Sequence, residues 1–272
     1  MTFVIFSKDR ALQLDGLLQS MFFHIKGVFL IRIIYQASNE AHNYAYKELA
    51  EDTRNSERIL WTKEKIFSTD LVNNIQDIQT ETVCFLVDDI VFIRPLDLDT
   101  LNYGEIRRGI LSLRLGKNIT FCYTKQKNMQ PPTLNPSKKL DELLKFSWNE
   151  SRYDWAYPLS VDGHIFCTAE ILVAVTRLKY RAPNTFERAL QILTPLYSKR
   201  PGYCFESPKI INIPLNRVQC EYDNISDDIS PEYLLAKWQE GMTLDFKALA
   251  NISTKSVHEE ISVYFCKRKN HI

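Results

Sequence analysis

No sign of charge dominates this sequence: 34 lysines and arginines stand against 33 aspartates and glutamates, a net +1 over 272 residues. That balance excludes a broad electrostatic surface for nucleic acid and leaves room only for a local basic pocket. The six cysteines (84, 122, 167, 204, 220 and 266) form no CxxC pair and no zinc spacing. Scattered in a chain with no export signal, they read as reduced, mostly core thiols. No apolar run is long enough to span a bilayer, and the longest, "GVFLIRIIY", carries Arg32. The opening "MTFVIFSKDR" begins as a strand, with neither a cleavable apolar region nor a cleavage site, so no signal peptide is expected. The expected location is cytoplasmic, or at the inner face of the membrane. There the N-x-Ser/Thr sequons at Asn118, Asn149, Asn224 and Asn251 carry no weight. No internal repeat appears, and no glycine precedes Gly16, so no glycine-rich phosphate loop follows the first strand.

What the chain does have is alternation. "TFVIFS" is a buried strand, and "RALQLDGLLQSMFFHI" spaces Leu14, Leu17, Leu18 and Met21 as an amphipathic helix does. "VFLIRIIYQAS" and "NEAHNYAYKELAED" repeat the pair. "ERILWTK" and "STDLVNNIQDI" repeat it again, with Ser68 or Thr69 as the expected helix cap. "TVCFLVDD" is the fourth strand. Strands apolar throughout and alternating with helices predict an α/β fold with a mostly parallel sheet covered on both faces.

The pattern loosens after about residue 100. Residues 125–145 are polar, lysine-rich and proline-bearing, a long functional insertion read as a solvated flap. "GILSLRLGKNITFCY", "WAYPLSVDGHIFCTAEIL" and "PNTFERALQIL" return to strands and helices, "KIINIPLNRVQ" is a strand and turn, and the tail holds a helix and a last strand, "ISVYF". One domain is expected over 1–272, with a ligand-binding half at 1–115, a catalytic half at 116–220, and a helix and strand at 221–272.

The chemistry concentrates at strand ends. In a parallel α/β sheet, ligands sit beyond the carboxyl ends of the strands. "SKDR" closes the first strand and Asp88-Asp89 the fourth, so both polar clusters fall on one rim. An unpaired buried carboxylate costs several kcal/mol, so two together at the end of so apolar a strand call for a function or a turn cap. On a regular strand Val87 and Asp89 share a face and Asp88 takes the other.

"FVIFSKDRALQLDGLLQSM" followed by "CFLVDDIVFIRPL" resembles a glycosyltransferase of the GT-A fold, whose Rossmann-like sheet carries a DxD-type motif at the end of a central strand. "SLRLGKN", "YPLSVDGHIF" and "PNTFE" look like a bacterial branch of these enzymes. Val87 makes this an xDD form. The resemblance implies transfer of a sugar from a nucleotide-diphosphate donor, with Mn²⁺ or Mg²⁺, to a glycan or lipid-linked hydroxyl, and no nucleic acid as partner. It implies Asp89 as direct metal ligand and Asp88 on a metal-bound water or a ribose hydroxyl. His258, or else His164, is the further metal candidate. Ser7, Asp9 and Arg10 would hold the nucleoside, and Arg114 the diphosphate. Glu187 is favoured as the base, with Asp162 binding acceptor or donor sugar or taking the base's role itself. Trp148, Tyr153, Trp155 and Tyr157 are candidates to stack on a sugar ring, or core residues. Two alternatives stand beside this reading: a catalytically silent sugar- or protein-binding module, and a sugar-1-phosphate nucleotidyltransferase, against which the missing glycine loop counts.

Overall fold

The computed structural model describes residues 1–138, 142–216 and 229–268. Cys220, the sequon at Asn224 and the end of the basic tail lie outside them. The opening alternation folds as expected: β1 (Thr2–Lys8), α1 (Ala11–His24), β2 (Leu30–Gln36), α2 (Glu40–Asp52), β3 (Ile59–Lys63), α3 (Phe67–Gln76) and β4 (Thr82–Val87). Then come β5 (Ile90–Phe92), β6 (Ile110–Ser112), β7 (Asn135–Pro136), β8 (Leu143–Ser147), β9 (His164–Cys167), α4 (Thr168–Arg177), α5 (Pro183–Leu190), β10 (Pro201–Phe205), β11 (Ile210–Asn212), α6 (Pro231–Gln239), β12 (Met242–Leu244) and β13 (Phe265–Lys267).

Among the described residues, nine of these strands form one sheet in the order β7-β8-β10-β6-β9-β4-β1-β2-β3. β1 to β4 run parallel, and β9 lies antiparallel between β4 and β6. Side chains on a strand alternate between faces, and here both faces are apolar. Phe3 and Ile5 of β1 join the core beneath α1 and α2, whereas Val4 and Phe6 join the core beneath α3 and α4. Each large side chain so buried is worth roughly 1.5–3 kcal/mol, so the rim of β1 and β4 is held from both sides.

Three expectations are corrected. Neither Ser68 nor Thr69 caps α3; both lie inside the helix, and the Asp70 carboxylate accepts from the backbone N–H of Lys65 (2.7 Å) and Ile66 (2.9 Å) instead. The 125–145 stretch is largely exposed where described, as expected of a solvated segment, but it is not loop throughout: β7 and β8 extend the sheet edge, and β8 pairs with β10. The last strand begins at Phe265, after most of "ISVYF", and pairs with β12.

Gly163, beside the rim, holds a backbone conformation that favours glycine. Its φ is +80°, a Cβ would sit 2.1 Å from Ile210 Cδ1, and its N–H and C=O bond Phe85 and Leu113 at 2.9 Å each. Gly163→Ala is therefore expected to lower stability by about 2–3 kcal/mol. Gly241→Ala, also at positive φ (+73°) but with nothing within 4 Å, should cost about 1 kcal/mol. Denaturant melts of the two variants check the ranking.

Candidate functional site

β4 stops at Val87, and Asp88 and Asp89 enter a turn rather than continue the strand. The facing expected of a regular strand is lost, and both carboxylates point at one guanidinium: Arg10 Nη1 donates to Asp88 Oδ1 and to Asp89 Oδ2, each at 2.9 Å. Asp88 also accepts from Ser7 Oγ (2.8 Å) and the Lys8 N–H (3.1 Å). Arg10 is held in turn by Asn216, whose Oδ1 accepts from Nε at 2.7 Å and whose C=O accepts from Nη2. The cluster is nearly dry, with side-chain exposures of 9% for Arg10, 4% for Asp88 and 12% for Asp89.

β5 pairs antiparallel with β11, and the Ile213 N–H bonds the Asp89 C=O at 2.9 Å. That pairing places Asn212, whose Nδ2 donates to Asp89 Oδ1 at 2.8 Å and to Asp162 Oδ1 at 3.4 Å. An isolated bridge from Asn212 brings in His258. Asp162, held by the Gly163 turn, accepts from Arg114 Nη1 and His258 Nε2, both at 3.2 Å, and Arg114 Nη2 reaches Asp154 at 3.4 Å. Glu187 comes from α5, where Pro183 starts the helix and the Thr185 hydroxyl accepts from the Ala182 N–H at 2.9 Å. It is the fifth residue, just beyond the first turn. Both its hydrogen bonds, from Ser160 Oγ (3.0 Å) and the Val161 N–H (3.1 Å), fall on Oε1.

These groups line one cavity of about 530 Å³ at the carboxyl ends of β1 and β4. Burial pushes the Asp89 carboxyl up; Arg10 opposes this, the negative Asp88 and Asp162 add to it, and the result is about 6. Burial works the same way on Asp162 but is outweighed by the hydrogen bond and charge of His258, by Arg114 and by Asn212, leaving it at about 2. His258 is raised accordingly: burial disfavours its cation, and Asp162 more than restores it. Glu187 is raised, by burial first and by Asp162 third, against Arg114. Two neighbouring carboxyls are thus driven apart, Asp162 locked as an anion and Glu187 left basic.

Ser7, Arg10, Asp88, Asp89, Arg114, Asp162, Glu187 and His258 all line the cavity. Asp9 is not among the lining residues; at φ +56° it turns its carboxylate onto Ser38, accepting from N–H at 2.7 Å and Oγ at 2.6 Å. It does not cap α1, whose N-cap is Arg10. Tyr153 and Tyr157 line the cavity. Trp148 and Trp155 are core, 1% and 0% exposed, and Trp155 donates to the Ile119 C=O. His164 is buried, with Nδ1 3.0 Å from the Pro158 C=O and its pKa pushed down to about 3 by burial and by Arg114. Asn212, Asn216 and Asp154 were not anticipated. Asn212 offered the same signal as Asp88-Asp89, a polar side chain closing an apolar strand.

The cavity of converging charged groups lies beyond the carboxyl ends of a mostly parallel sheet, the rim at which α/β proteins place their ligand sites. No family model matches the chain. An alignment 257 positions long, covering 81% of this chain, is 28% identical to a Dictyostelium discoideum protein named bifunctional glycosyltransferase pgtA; it covers 32% of that protein, so the chain spans about a third of this relative's length. Solved structures of S. aureus TarS are similar in shape at 14% identity. Residues 1–349 in complex with UDP give a TM-score of 0.47, over 76% of this chain and 58% of that one. A longer TarS structure gives 0.47 over 75% and 35%.

Removing Arg10 would strand its acids. Arg10→Met is expected to destabilise the fold by about 3–5 kcal/mol at pH 8. Asp89, already raised, rises further without the cation, and a raised carboxyl contributes stability that is present at low pH and lost as pH rises through its folded value. The deficit should therefore narrow on going to pH 5. Denaturant melts at the two pH values read this.

Proposed function

We propose that this chain is a glycosyltransferase that moves a sugar from a nucleotide-diphosphate donor to a hydroxyl of a glycan or lipid-linked acceptor. The observation that carries the reading is the placement of Asp88 and Asp89 at the rim, with a glutamate of open basicity in the same cavity. In the reaction, the bond from the anomeric carbon to the diphosphate oxygen breaks and the nucleoside diphosphate leaves. The acceptor oxygen bonds the anomeric carbon, and its proton passes to Glu187 Oε2, the oxygen that no hydrogen bond occupies among the described residues. Asp162 is a poor base, because at about 2 it holds its proton too weakly. Anchored by Arg114 and His258, it is instead a fixed acceptor for sugar hydroxyls. Ser7, Lys8 and Arg10 set the donor end by fixing Asp88.

Mn²⁺ or Mg²⁺ fits this cavity on charge and on donor chemistry. Six acidic side chains line it against four lysines and arginines, so acids outnumber cations even with His258 protonated. A diphosphate alone would meet that surplus unfavourably. Among the described residues no three histidine, cysteine or acidic side chains form a ready-made metal cage. Magnesium and manganese do not require one when substrate oxygens complete the shell. Asp89 accepts two hydrogen bonds on a carboxylate with roughly four acceptor positions, and Asn212 Oδ1 and His258 Nδ1 are buried without a partner. Asp89 would hold the ion, with Asp88 and His258 beside it, and the ion would neutralise charge growing on the leaving diphosphate.

A screen of nucleotide sugars with and without Mn²⁺, following donor consumption, tests the reading. Metal-dependent consumption of one donor is expected, and it should be lost in Asp89→Asn. No metal-dependent nucleotide affinity and no donor consumption would mark a silent binding module. For the base, Glu187→Gln should lower kcat about 10²–10⁴-fold with donor affinity retained. In the parent protein kcat should rise with pH through a value above the ordinary 4.5 of glutamate, because the base works only when deprotonated. That limb should disappear in Glu187→Gln.

A further inference from the structure

We propose that the outer side of residues 177–199 is a docking surface for an anionic lipid bilayer. Within residues 171–200 the only acidic residue is Glu187, against Arg177, Lys179, Arg181, Arg188, Lys199 and Arg200. Glu187 faces the cavity, and Arg200 is held by Glu170 at 2.7 and 2.9 Å. Arg177, Lys179, Arg181 and Lys199 are all exposed. This part of the surface is thus basic with no acid of its own to offset it.

The same stretch exposes two large aliphatic side chains, Ile192 and Leu196. α5 runs on through a 3₁₀ turn, Gln191–Leu193, into a short helix, Thr194–Tyr197. Phe186, Leu190 and Tyr197 point into the core. On the other side Ile192 is 73% and Leu196 64% exposed, one turn apart, with Lys199 three residues further on. A single exposed aliphatic residue is ordinary. Here two lie four apart on consecutive short turns, with Arg181 before them and Lys199 after them. They form an amphipathic pattern suited to a membrane interface, where the aliphatic chains enter the headgroup boundary and the cations meet anionic lipid. A soluble polyanion would satisfy the cations and leave Ile192 and Leu196 in water, so the bilayer accounts for more of the surface.

The position suits the site. Pro183, Asn184 and Glu187 of the same helix line the cavity, so a bilayer docked here lies beside its mouth, within reach of a lipid-borne hydroxyl. That last step rests on the proposed transfer reaction; the docking itself does not.

Co-sedimentation with vesicles of phosphatidylcholine, alone or mixed with phosphatidylglycerol, tests it on the whole chain. Binding to the mixed vesicles is expected to be at least about tenfold stronger than to the neutral ones, and to weaken with salt. The pair Ile192→Ser with Leu196→Ser, and separately Arg181→Glu with Lys199→Glu, should each reduce it at least about fivefold, with melting temperature and donor consumption unchanged. Equal binding to both vesicles, or none, overturns the proposal. So does a surface on which only the charge pair matters and heparin competes fully, since that describes a polyanion site. Loss of donor consumption in the parent protein would sink the transfer reading and leave the docking result standing.

Discussion

One guanidinium makes the rim possible. Asp88 and Asp89 close an apolar strand in a nearly dry setting, and each would cost several kcal/mol there alone. Arg10 meets both with the same nitrogen, and Asn216 holds the rest of its donor fork. The arrangement ties together the end of β1, the turn after β4 and the segment after β11, which lie far apart in the chain. Arg10 is also the N-cap of α1, so the residue that ends the first strand's rim also begins the helix packed on it.

A second cation repeats the device a short way along the cavity. Arg114 joins Asp162 and Asp154, as Arg10 joins Asp88 and Asp89. Asn212 links the two clusters, donating to Asp89 and Asp162 from one nitrogen. Two acidic pairs, each fastened by an arginine and bridged by an amide, form the floor of the cavity. Preorganised charge of this kind acts on a substrate without reorganising when it arrives. Its cost shows in the carboxyl of Asp89, raised first by burial and then by the like charges of Asp88 and Asp162, against the pull of Arg10.

The first half of the fold was legible because its signals are local. Apolar strands, helical spacing of Leu14, Leu17, Leu18 and Met21, and a polar pair ending a strand all lie within a few residues of one another. The start of α3 shows where local reading slips, since neither Ser68 nor Thr69 caps it and the Asp70 carboxylate, one turn inside, reaches back to the Lys65 and Ile66 N–H groups that precede the helix. The rest was hidden because it is built by pairing across the chain. β9 inserts antiparallel beside β4 and carries the Gly163 turn to the rim. β11 returns from residue 210 to β5, and only then do Asn212 and His258 stand beside Asp89. No spacing in the sequence encodes those distances. The same holds for the tryptophans, whose composition suits either a sugar platform or a core, and whose burial alone decides for the core.

The division between Asp162 and Glu187 follows from what surrounds them. Both are carboxyls lining one cavity, and burial raises both. Asp162 sits between an imidazole and a guanidinium, and those charges overcome burial by holding the anion. Among the described residues Glu187 has a hydroxyl and one backbone N–H within hydrogen-bond distance, both on one oxygen, and it feels Asp162 as a like charge. A group that must take a proton during a reaction needs a pKa near the working pH and an unoccupied oxygen. Burial shifts Glu187 upward, and its Oε2 accepts no hydrogen bond among the described residues. Burial is the main reason the glutamate holds its proton more tightly, and the Asp162 anion adds to it against Arg114.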